Sequence, residues 1–417
     1  MNVSNIKEKT YSHSCSLPWT SLIVDPMGVI SFCCFHPAIA NVNNISENAM
    51  DEIWNGRVVQ DLRKRWNEGR LEGTPCAGCQ GLHRYKKYDH AAKNIPNLLN
   101  EANNPFYSNA ELNLDEFSKG KTILKSMPVE ITYVPSILCN INCIHCFQAP
   151  NRKKCDLSRI KPDALLKFYE YLGSKAVKNV FSGGEPLLMG EVQTLLDEIS
   201  PEQKASSEGV FLTNGMLIRD RYELTKGFRK RNFIISIDAF EKKRYESIQR
   251  GANFEKLIDN LEFLNKRREE GNDITLTLVM VLMKSNFIDL ENVFEFAKTY
   301  KFDEIWIPPV GNLENRTFVS EGIFKLPCLL EKIPSWEKIL EKASQKAKEL
   351  GYESAHNHLE YIKGMLPSSA IVSYCRSIKN YLLWRIKTIM RSIPAMEKSL
   401  KLILKIKFFR KIYKKFY

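Results

Sequence analysis

The sequence lacks the features of exported and membrane-spanning proteins. No apolar run in the 417-residue chain reaches the roughly 18 residues that a spanning helix needs. The first ten residues contain no hydrophobic core of a secretory signal. Internal repeats are absent, and hydrophobic (44%) and charged (26%) contents exclude a collagen-like, a wholly disordered or a small disulfide-stapled protein. We therefore expect a cytoplasmic protein that reaches a membrane only at its inner face.

Acidic residues are scarce at only one end of the chain. Residues 376–417 contain thirteen Lys or Arg and a single acid, Glu397, so this end carries nearly all of the net charge of +13. The rest of the chain is close to neutral. A nucleic-acid-binding protein usually carries positive charge on its folded body, so this distribution argues against a nucleic-acid partner.

Cysteine is present in an odd number, eleven, which together with the missing export signal argues against a disulfide framework. Seven cysteines fall into two spaced groups, which favours metal or iron–sulfur ligation. Cys34 is expected to be a spare thiol, because adjacent cysteines rarely both bind one metal. The isolated cysteines are expected to be incidental thiols; they are Cys155, Cys328 and Cys375. A hydrogen-atom donor is the alternative, and completion of a cluster is a further alternative for Cys328 or Cys375.

From residue 129 onward, strand and helix patterns alternate. Helix patterns lie between six short runs rich in β-branched and aromatic residues, which predicts a parallel sheet with right-handed crossovers. Six units are fewer than the eight of a closed barrel. We therefore predict an α/β fold with a partial, open (β/α)6 barrel that resembles part of a TIM barrel. The predicted strands are 129–134, 179–182, 209–213, 233–238, 274–281 and 304–308.

The first cysteine group follows the first predicted strand directly. Cys139, Cys143 and Cys146 have the spacing Cys-x3-Cys-x2-Cys. Three thiolates can hold three irons of a cubane cluster and leave the fourth iron open, whereas structural zinc normally has four protein ligands. Downstream, the second strand ends in the sequence Gly183-Gly184-Glu185-Pro186, at the sheet edge where parallel sheets bind ligands.

Together these motifs resemble the radical SAM superfamily. The resemblance implies that Cys139, Cys143 and Cys146 bind a 4Fe–4S cluster and that the bound cofactor is S-adenosylmethionine (SAM). His145 occupies the family's aromatic position near the adenine, and Gly183 to Pro186 the motif for the methionine amino group. The resemblance also implies that the ribose of SAM contacts Thr213, Asn214, Ser236 and Asp238. It implies that Arg250 approaches the SAM carboxylate and that Ile307 contacts the adenine. For Ser236 and Asp238, a purely structural role at a strand end is an equal alternative.

The chemistry that the resemblance implies is reductive cleavage of SAM. The reduced cluster gives one electron to SAM, methionine leaves, and the resulting 5′-deoxyadenosyl radical takes a hydrogen atom from the substrate. Such an enzyme needs a reducing partner such as flavodoxin or ferredoxin. The protein positions the reactants and excludes water.

The second group comprises Cys15, Cys33, Cys76 and Cys79. It resembles the SPASM/twitch auxiliary-cluster domain, with two departures: it precedes the barrel, and residues 80–90 contain none of the further cysteines of the full pattern. We therefore expect one auxiliary 4Fe–4S cluster, which would accept an electron from the substrate or bind the substrate directly. A structural zinc site is the alternative, since four cysteines ending in Cys-x2-Cys suit that metal too.

The basic tail, residues 371–417, ends in an amphipathic pattern. Apolar and basic residues of its last twelve positions occupy largely opposite faces of a helix, which is typical of helices on anionic membrane surfaces. A helix docked on the body and an RNA-binding or disordered tail are the alternatives. The apolar positions are 406, 409, 412, 413 and 416, and the basic ones are 407, 410, 411, 414 and 415.

Two other sites have structural interpretations. Tyr133 and Val134 point to opposite faces of the first strand, so one packs against the helices and the other faces the barrel interior. A core position is expected for Tyr133, with a place in the substrate cavity as the alternative. His356 and His358 are expected in a solvated loop, with metal ligation as the alternative. The predicted segments are an auxiliary-cluster domain (1–95), a polar linker (96–128), the barrel (129–315), a helical C-terminal extension (316–370) and the basic tail (371–417).

The sequence therefore predicts a radical SAM enzyme that abstracts a hydrogen atom from a peptide or small-molecule substrate, with a net oxidation through the auxiliary cluster. Peptide modification is the commonest association of the auxiliary domain. A sugar or lipid-linked cell-envelope intermediate is the alternative substrate, suggested by the basic tail. A non-catalytic iron–sulfur or zinc protein is the alternative of a different class.

Overall fold

The structure is a computed structural model, and its described residues form two compact units. The first unit holds the described residues up to Ile237 together with Glu241–Val279 and Ala297–Glu304; the second holds the others. The predicted tail and five cysteines lie outside the described residues: Cys34, Cys79, Cys155, Cys328 and Cys375. The described ranges are 15–33, 44–46, 48–74, 76–77, 105–149, 160–310 and 336–365.

A mainly parallel sheet forms the core of the fold. Its strand order is β10-β9-β7-β6-β5-β3-β1-β2, in which only β2 is antiparallel to its neighbour. All six strands expected from residue 129 onward are present, so the α/β fold class with a partial barrel is confirmed. The strands are β1 (Ser21–Val24), β2 (Ile30–Ser31), β3 (Glu130–Tyr133), β4 (Asn142–Cys143), β5 (Lys178–Phe181), β6 (Glu208–Thr213), β7 (Lys230–Ser236), β8 (Gln249–Arg250), β9 (Ile274–Val279) and β10 (Glu304–Trp306).

Helices connect the strands. Two of them, α2 and α3, are separated at Gly56, whose extended backbone (φ −64°, ψ 163°) interrupts the helical path. The α-helices are α1 (Leu17–Thr20), α2 (Met50–Asn55), α3 (Arg57–Asn67), α4 (Pro105–Ser118), α5 (Pro162–Phe168), α6 (Gly190–Glu198), α7 (Pro201–Ser206), α8 (Ile218–Arg221), α9 (Lys242–Ile248), α10 (Phe254–Glu269), α11 (Val293–Thr299), α12 (Trp336–Glu349) and α13 (Glu353–Met365). Short 3-10 or π turns occupy Tyr169–Gly173, Pro186–Leu188, Tyr222–Thr225 and Lys284–Glu291.

A stack of aromatic rings crosses four neighbouring strands on the helix-facing side of the sheet. Tyr133, Phe181, Phe211 and Phe233 are in register, and successive ring centroids lie 5.6, 5.1 and 5.5 Å apart. Tyr133 also meets the ring of Phe168 in α5 edge-on. Tyr133 is therefore a buried core residue, as expected, and does not line the interior of the barrel.

The N-terminal segment is part of the sheet of the first unit. Strand β1 pairs with β3 in parallel, and the Val129 N–H donates to the Thr20 carbonyl at 2.9 Å. Arg63 of α3 is fully buried and donates to the carbonyls of Pro18 (2.9 Å) and Thr122 (3.0 Å). Burial lowers the pKa of Arg63 to about 9, an effect that nearby Glu116 partly offsets. Backbone hydrogen bonds thus join the predicted auxiliary-cluster segment to the barrel, and Arg63 joins it to the stretch 96–128.

The stretch 96–128, which the sequence suggested to be a polar linker, contains helix α4. Its Tyr107, Ala110, Leu114 and Phe117 are buried at helical spacing. This apolar stripe is hidden among Asn and Glu residues, which explains why a polar linker was expected there.

The second unit includes helices α12 and α13. His356, expected in a loop, lies in α13, where its Nδ1 is 2.9 Å from the hydroxyl oxygen of Ser344 in α12. The helix is explained by Ala355, Leu359 and Ile362, which are buried on one face. No helix of the described residues combines the length and the apolarity needed to cross a membrane.

Candidate functional site

The cysteine loop, residues 139–146, follows the carboxyl end of β3. Its short strand β4 pairs antiparallel with β8, and the Ile144 N–H donates to the Ile248 carbonyl at 2.9 Å. The three cysteines are half-buried thiols. Pairing with β8 fixes the backbone of a loop that has no helix or long strand of its own.

Backbone hydrogen bonds also fasten the end of β5 to the chain that leads into the cysteine loop. Residues 182–185 run beside residues 133–138, so the parallel pairing of β3 and β5 continues beyond both strands. The N–H groups of Ser182, Gly184 and Glu185 donate to the carbonyls of Tyr133 (2.9 Å), Ser136 (3.2 Å) and Leu138 (2.7 Å), respectively.

This close approach requires both glycines. Gly183 has φ +124°, and a Cβ there would lie 2.3 Å from the Ser136 carbonyl oxygen. A Cβ on Gly184 would lie 2.0 Å from the Leu138 carbonyl oxygen. Any other residue at either position would push away the backbone that precedes Cys139.

Glu185 is fully buried and joins the ends of β5 and β6. Its carboxylate accepts hydrogen bonds from the Thr213 hydroxyl (2.8 and 3.0 Å), the Asn214 N–H (2.8 Å) and the Leu187 N–H (3.2 Å). Burial raises the pKa of Glu185 to about 7, although these hydrogen bonds favour the charged form. Pro186 begins the 3-10 turn that Glu185 caps.

The raised pKa of Glu185 predicts a pH-dependent stability. Between about pH 4.5 and 7 the carboxyl group is protonated in the folded chain and ionised in the unfolded chain. The unfolded state then binds fewer protons, so stability falls as pH rises through this range, by about 3 kcal/mol in total. We expect wild type to lose this amount relative to Glu185→Gln, as measured by urea unfolding from pH 4.5 to 7.5. A constant difference between the two proteins would contradict the raised pKa.

Asn214 reaches from the end of β6 to the cysteine loop. Its side-chain NH2 donates to the Asn140 side-chain oxygen at 2.8 Å and lies 3.6 Å from the Cys139 sulfur. Its side-chain oxygen accepts from the Met216 N–H at 3.0 Å, which fixes the orientation of the amide. Asn214 and Thr213 were both expected to contact SAM, but their side chains here contact the cysteine loop and Glu185.

The other expected SAM contacts are placed as follows. Arg250 is exposed and lies opposite Asn142 in the β4–β8 pair, and His145 is half-buried within the cysteine loop. Ser236 ends β7. Asp238 and Ile307 belong to the second unit and are fully buried; the Asp238 carboxylate accepts a hydrogen bond from the Val281 N–H at 2.9 Å.

One residue of the site was missed by sequence reasoning. Gln249 is fully buried in β8, and its side-chain amide donates to the carbonyl of Ser236 at 3.0 Å. Through Gln249 and the β4–β8 pair, the end of β7 is linked to the cysteine loop. In the sequence, the only sign of this role is that Gln249 is a polar residue next to Arg250. Polar residues are too common for such a position to identify a site.

The structure describes three of the four cysteines of the second group: Cys15, Cys33 and Cys76. The turn between β1 and β2 is held by the Asp25 carboxylate, which accepts hydrogen bonds from the Met27 (2.8 Å) and Val29 (2.9 Å) N–H groups. Cys15 precedes β1, and Cys33 follows β2. Because β2 is antiparallel to β1, both cysteines connect to the amino end of β1. Since β1 is parallel to β3, this is the edge opposite to the cysteine loop.

No three His, Cys, Asp or Glu side chains among the described residues converge to hold a single ion. A cubane cluster makes a different demand, because each cysteine binds its own iron. Three half-buried thiols on one loop, with the Asn214 amide beside one of them, fit a cluster with one open iron. At the second group, Cys76 is buried and Cys79 lies outside the described residues.

Family models match both cysteine groups. Residues 133–297 match the radical SAM superfamily, and residues 15–80 match SPASM, an iron–sulfur cluster-binding domain. Residues 133–297 thus form a radical SAM domain, and the other proteins known with this domain are enzymes. The radical SAM domain implies a 4Fe–4S cluster and SAM, and the SPASM domain implies an auxiliary iron–sulfur cluster, which favours a cluster over zinc.

Curated relatives are similar at low identity. A GTP 3′,8-cyclase of Clostridium botulinum (strain Hall) is 21% identical over 245 residues, which cover 58% of this chain and 74% of the relative. A probable GTP 3′,8-cyclase of Methanocaldococcus jannaschii is 24% identical over 180 residues, covering 42% of this chain and 55% of the relative.

Among solved structures, Streptococcus suis SuiB bound to the precursor peptide SuiA is 17% identical, with a TM-score of 0.43, and the match covers 79% of this chain and 69% of SuiB. Native anSMEcpe with bound AdoMet and the Kp18Cys peptide is 16% identical, with a TM-score of 0.41, over 54% of this chain and 61% of that one.

Proposed function

We propose that this enzyme cleaves SAM reductively at a 4Fe–4S cluster held by Cys139, Cys143 and Cys146, and abstracts a hydrogen atom from a peptide or small-molecule substrate. The observation that carries the proposal is the cysteine loop itself. This loop holds three thiols, follows β3, pairs with β8 and accepts a hydrogen bond from Asn214 at the end of β6. When bound, the cluster and SAM together supply the radical that takes the hydrogen atom.

The chain's own residues have positioning roles in this proposal. Gly183 and Gly184 let the end of β5 approach the backbone before Cys139. The backbone of residues 183–186 is therefore close to the proposed cluster. Arg250 is exposed beside the loop and is proposed to meet the SAM carboxylate. His145, Ser236 and Ile307 keep the SAM contacts that the family resemblance implies, as proposals.

The auxiliary cluster is proposed to accept an electron, which would make the reaction a net oxidation. Cys15 and Cys33 connect to the amino end of β1, whereas the substrate of a parallel barrel binds at the carboxyl ends of the strands. The four residues of β1 alone span about 13 Å. This separation favours electron transfer over direct binding of the substrate.

Replacing Cys76 by alanine tests the auxiliary site. We expect the anaerobically reconstituted variant to lose about four irons per chain, because a cubane that lacks one of its thiolates is not retained. SAM cleavage should continue, because Cys139, Cys143 and Cys146 are unchanged. Loss of zinc instead of iron would contradict the auxiliary cluster and support the structural alternative.

We propose a peptide as the first candidate for the substrate. The SPASM match favours a peptide, since peptide modification is the commonest association of this domain. The curated relatives are named for a reaction of GTP, which keeps a small molecule as the second candidate. A sugar or lipid-linked intermediate is the third. Transfer of deuterium from labelled substrates into 5′-deoxyadenosine distinguishes among these classes.

We also propose that the basic tail contacts an anionic membrane surface from the cytoplasmic side. Thirteen basic residues and one acid between 376 and 417, with the amphipathic pattern near the end, support this contact. We expect the full chain to float with anionic vesicles in a density gradient and a chain ending at Ala370 to remain at the bottom. Equal flotation of both would contradict the proposal.

A flavodoxin or ferredoxin is the proposed source of electrons.

A further inference from the structure

The side-chain amide of Asn214 is held in one orientation by its surroundings. Its backbone N–H donates to Glu185, and its side-chain oxygen accepts from the Met216 N–H. The NH2 group therefore has to face the cysteine loop. There it lies 2.8 Å from the Asn140 side-chain oxygen and 3.6 Å from the Cys139 sulfur, within the range of an N–H···S hydrogen bond.

The amide is also shielded from water. Asn214 is 7% exposed, and Glu185, which fixes its backbone, is fully buried. A hydrogen bond in such surroundings is stronger than one in water, because the local dielectric constant is low. Its geometry does not depend on a flexible loop, since Asn214 directly follows β6.

Hydrogen bonds to cluster sulfur atoms are among the factors that set the reduction potential of an iron–sulfur cluster. Reduction adds negative charge to the cluster and its thiolates. A neutral N–H donor aimed at a thiolate stabilises the reduced form more than the oxidised form, and therefore raises the potential.

We propose that Asn214 is a positioning residue that donates a hydrogen bond to the Cys139 thiolate and thereby eases reduction of the SAM-binding cluster. This role is distinct from the contact with SAM that the family resemblance implies for Asn214. The inference rests on the proposed function to the extent that Cys139 must bind the cluster.

The test is a redox titration of the reconstituted protein without SAM, followed by electron paramagnetic resonance of the reduced cluster. Asn214→Leu removes the donor. We expect the ratio of reduced to oxidised cluster at a fixed potential to fall about tenfold, a shift of about 59 mV to lower potential. Asn214→Asp keeps the acceptor for Met216 but places a carboxylate beside the thiolate, and should lower the ratio at least as much.

The matched control is Asn265→Leu, which removes a side-chain amide that donates to the Tyr300 carbonyl at 2.8 Å in the same unit. Its cluster should titrate as in wild type. To keep the auxiliary cluster out of the signal, all proteins carry Cys76→Ala.

The outcomes separate this inference from the proposed function. If the parent protein assembles no cluster at the cysteine loop, the proposed function fails. If the parent assembles it and Asn214→Leu titrates at the same potential, the inference is overturned while the function stands. If Asn214→Leu retains no cluster, the reduction potential of Asn214→Asp is the test. A potential below that of the parent protein supports the inference, and an unchanged potential overturns it. Loss of the cluster in both variants would also overturn the inference, because Asn214 would then be required for the loop and not for its potential.

Discussion

Replacing Cys143 by alanine is expected to reduce the formation of 5′-deoxyadenosine from SAM by about 10³-fold or more, because residues that act as one catalytic unit fail together. Cys143 lies in the middle of the cysteine loop and in the strand that pairs with β8. Without its thiolate, one iron of the cluster loses its only protein ligand. The measurement is the anaerobic rate of 5′-deoxyadenosine formation with excess SAM and reductant.

The matched control for Cys143→Ala is Cys155→Ala, a cysteine that belongs to neither predicted ligand set. It should cleave SAM at the wild-type rate. Wild-type activity in Cys143→Ala would show that the cluster is bound elsewhere. Circular dichroism of both variants separates loss of the cluster from loss of the fold.

Replacing Gly184 by alanine is the second change with a large expected effect. The new Cβ would lie 2.0 Å from the Leu138 and 2.5 Å from the Ile137 carbonyl oxygen. Because these atoms belong to the backbone just before Cys139, relief of the clash must displace the cysteine loop. A displacement of about 1 Å at a reacting centre costs about 10²-fold in rate, so we expect SAM cleavage to fall by about that factor.

Gly190→Ala is the matched control for Gly184→Ala. Gly190 lies five positions after Glu185 and begins helix α6, where an added Cβ meets nothing within 4 Å. This variant should retain its iron and its rate of SAM cleavage. If Gly184→Ala behaves in the same way as Gly190→Ala, the close approach of β5 to the cysteine loop has no role in catalysis.

Several parts of this account could be predicted from the sequence. Buried parallel strands leave runs of β-branched and aromatic residues, so all six strands from residue 129 onward were visible. The spacing of Cys139, Cys143 and Cys146 and the Gly183–Pro186 motif are local patterns, and local patterns can be recognised without a structure.

Other parts depend on contacts between residues distant in sequence. Asn214 lies 75 positions from Cys139, and Gln249 reaches back to Ser236 from a two-residue strand. The insertion of β1 beside β3 depends on a pairing between segments more than 100 residues apart. Such pairings are selected by packing in the folded chain, and no local pattern specifies them. Helix α4 is a different case, because its apolar stripe is a local pattern that the Asn and Glu residues around it obscure.

The most direct test of the central claim is to reconstitute the wild-type protein anaerobically, count iron and sulfide, and add SAM with a strong reductant. We expect about eight irons per chain and the formation of methionine and 5′-deoxyadenosine. About four irons with cleavage would keep the radical SAM site and remove the auxiliary cluster. Zinc alone, with no cleavage of SAM, would contradict the account.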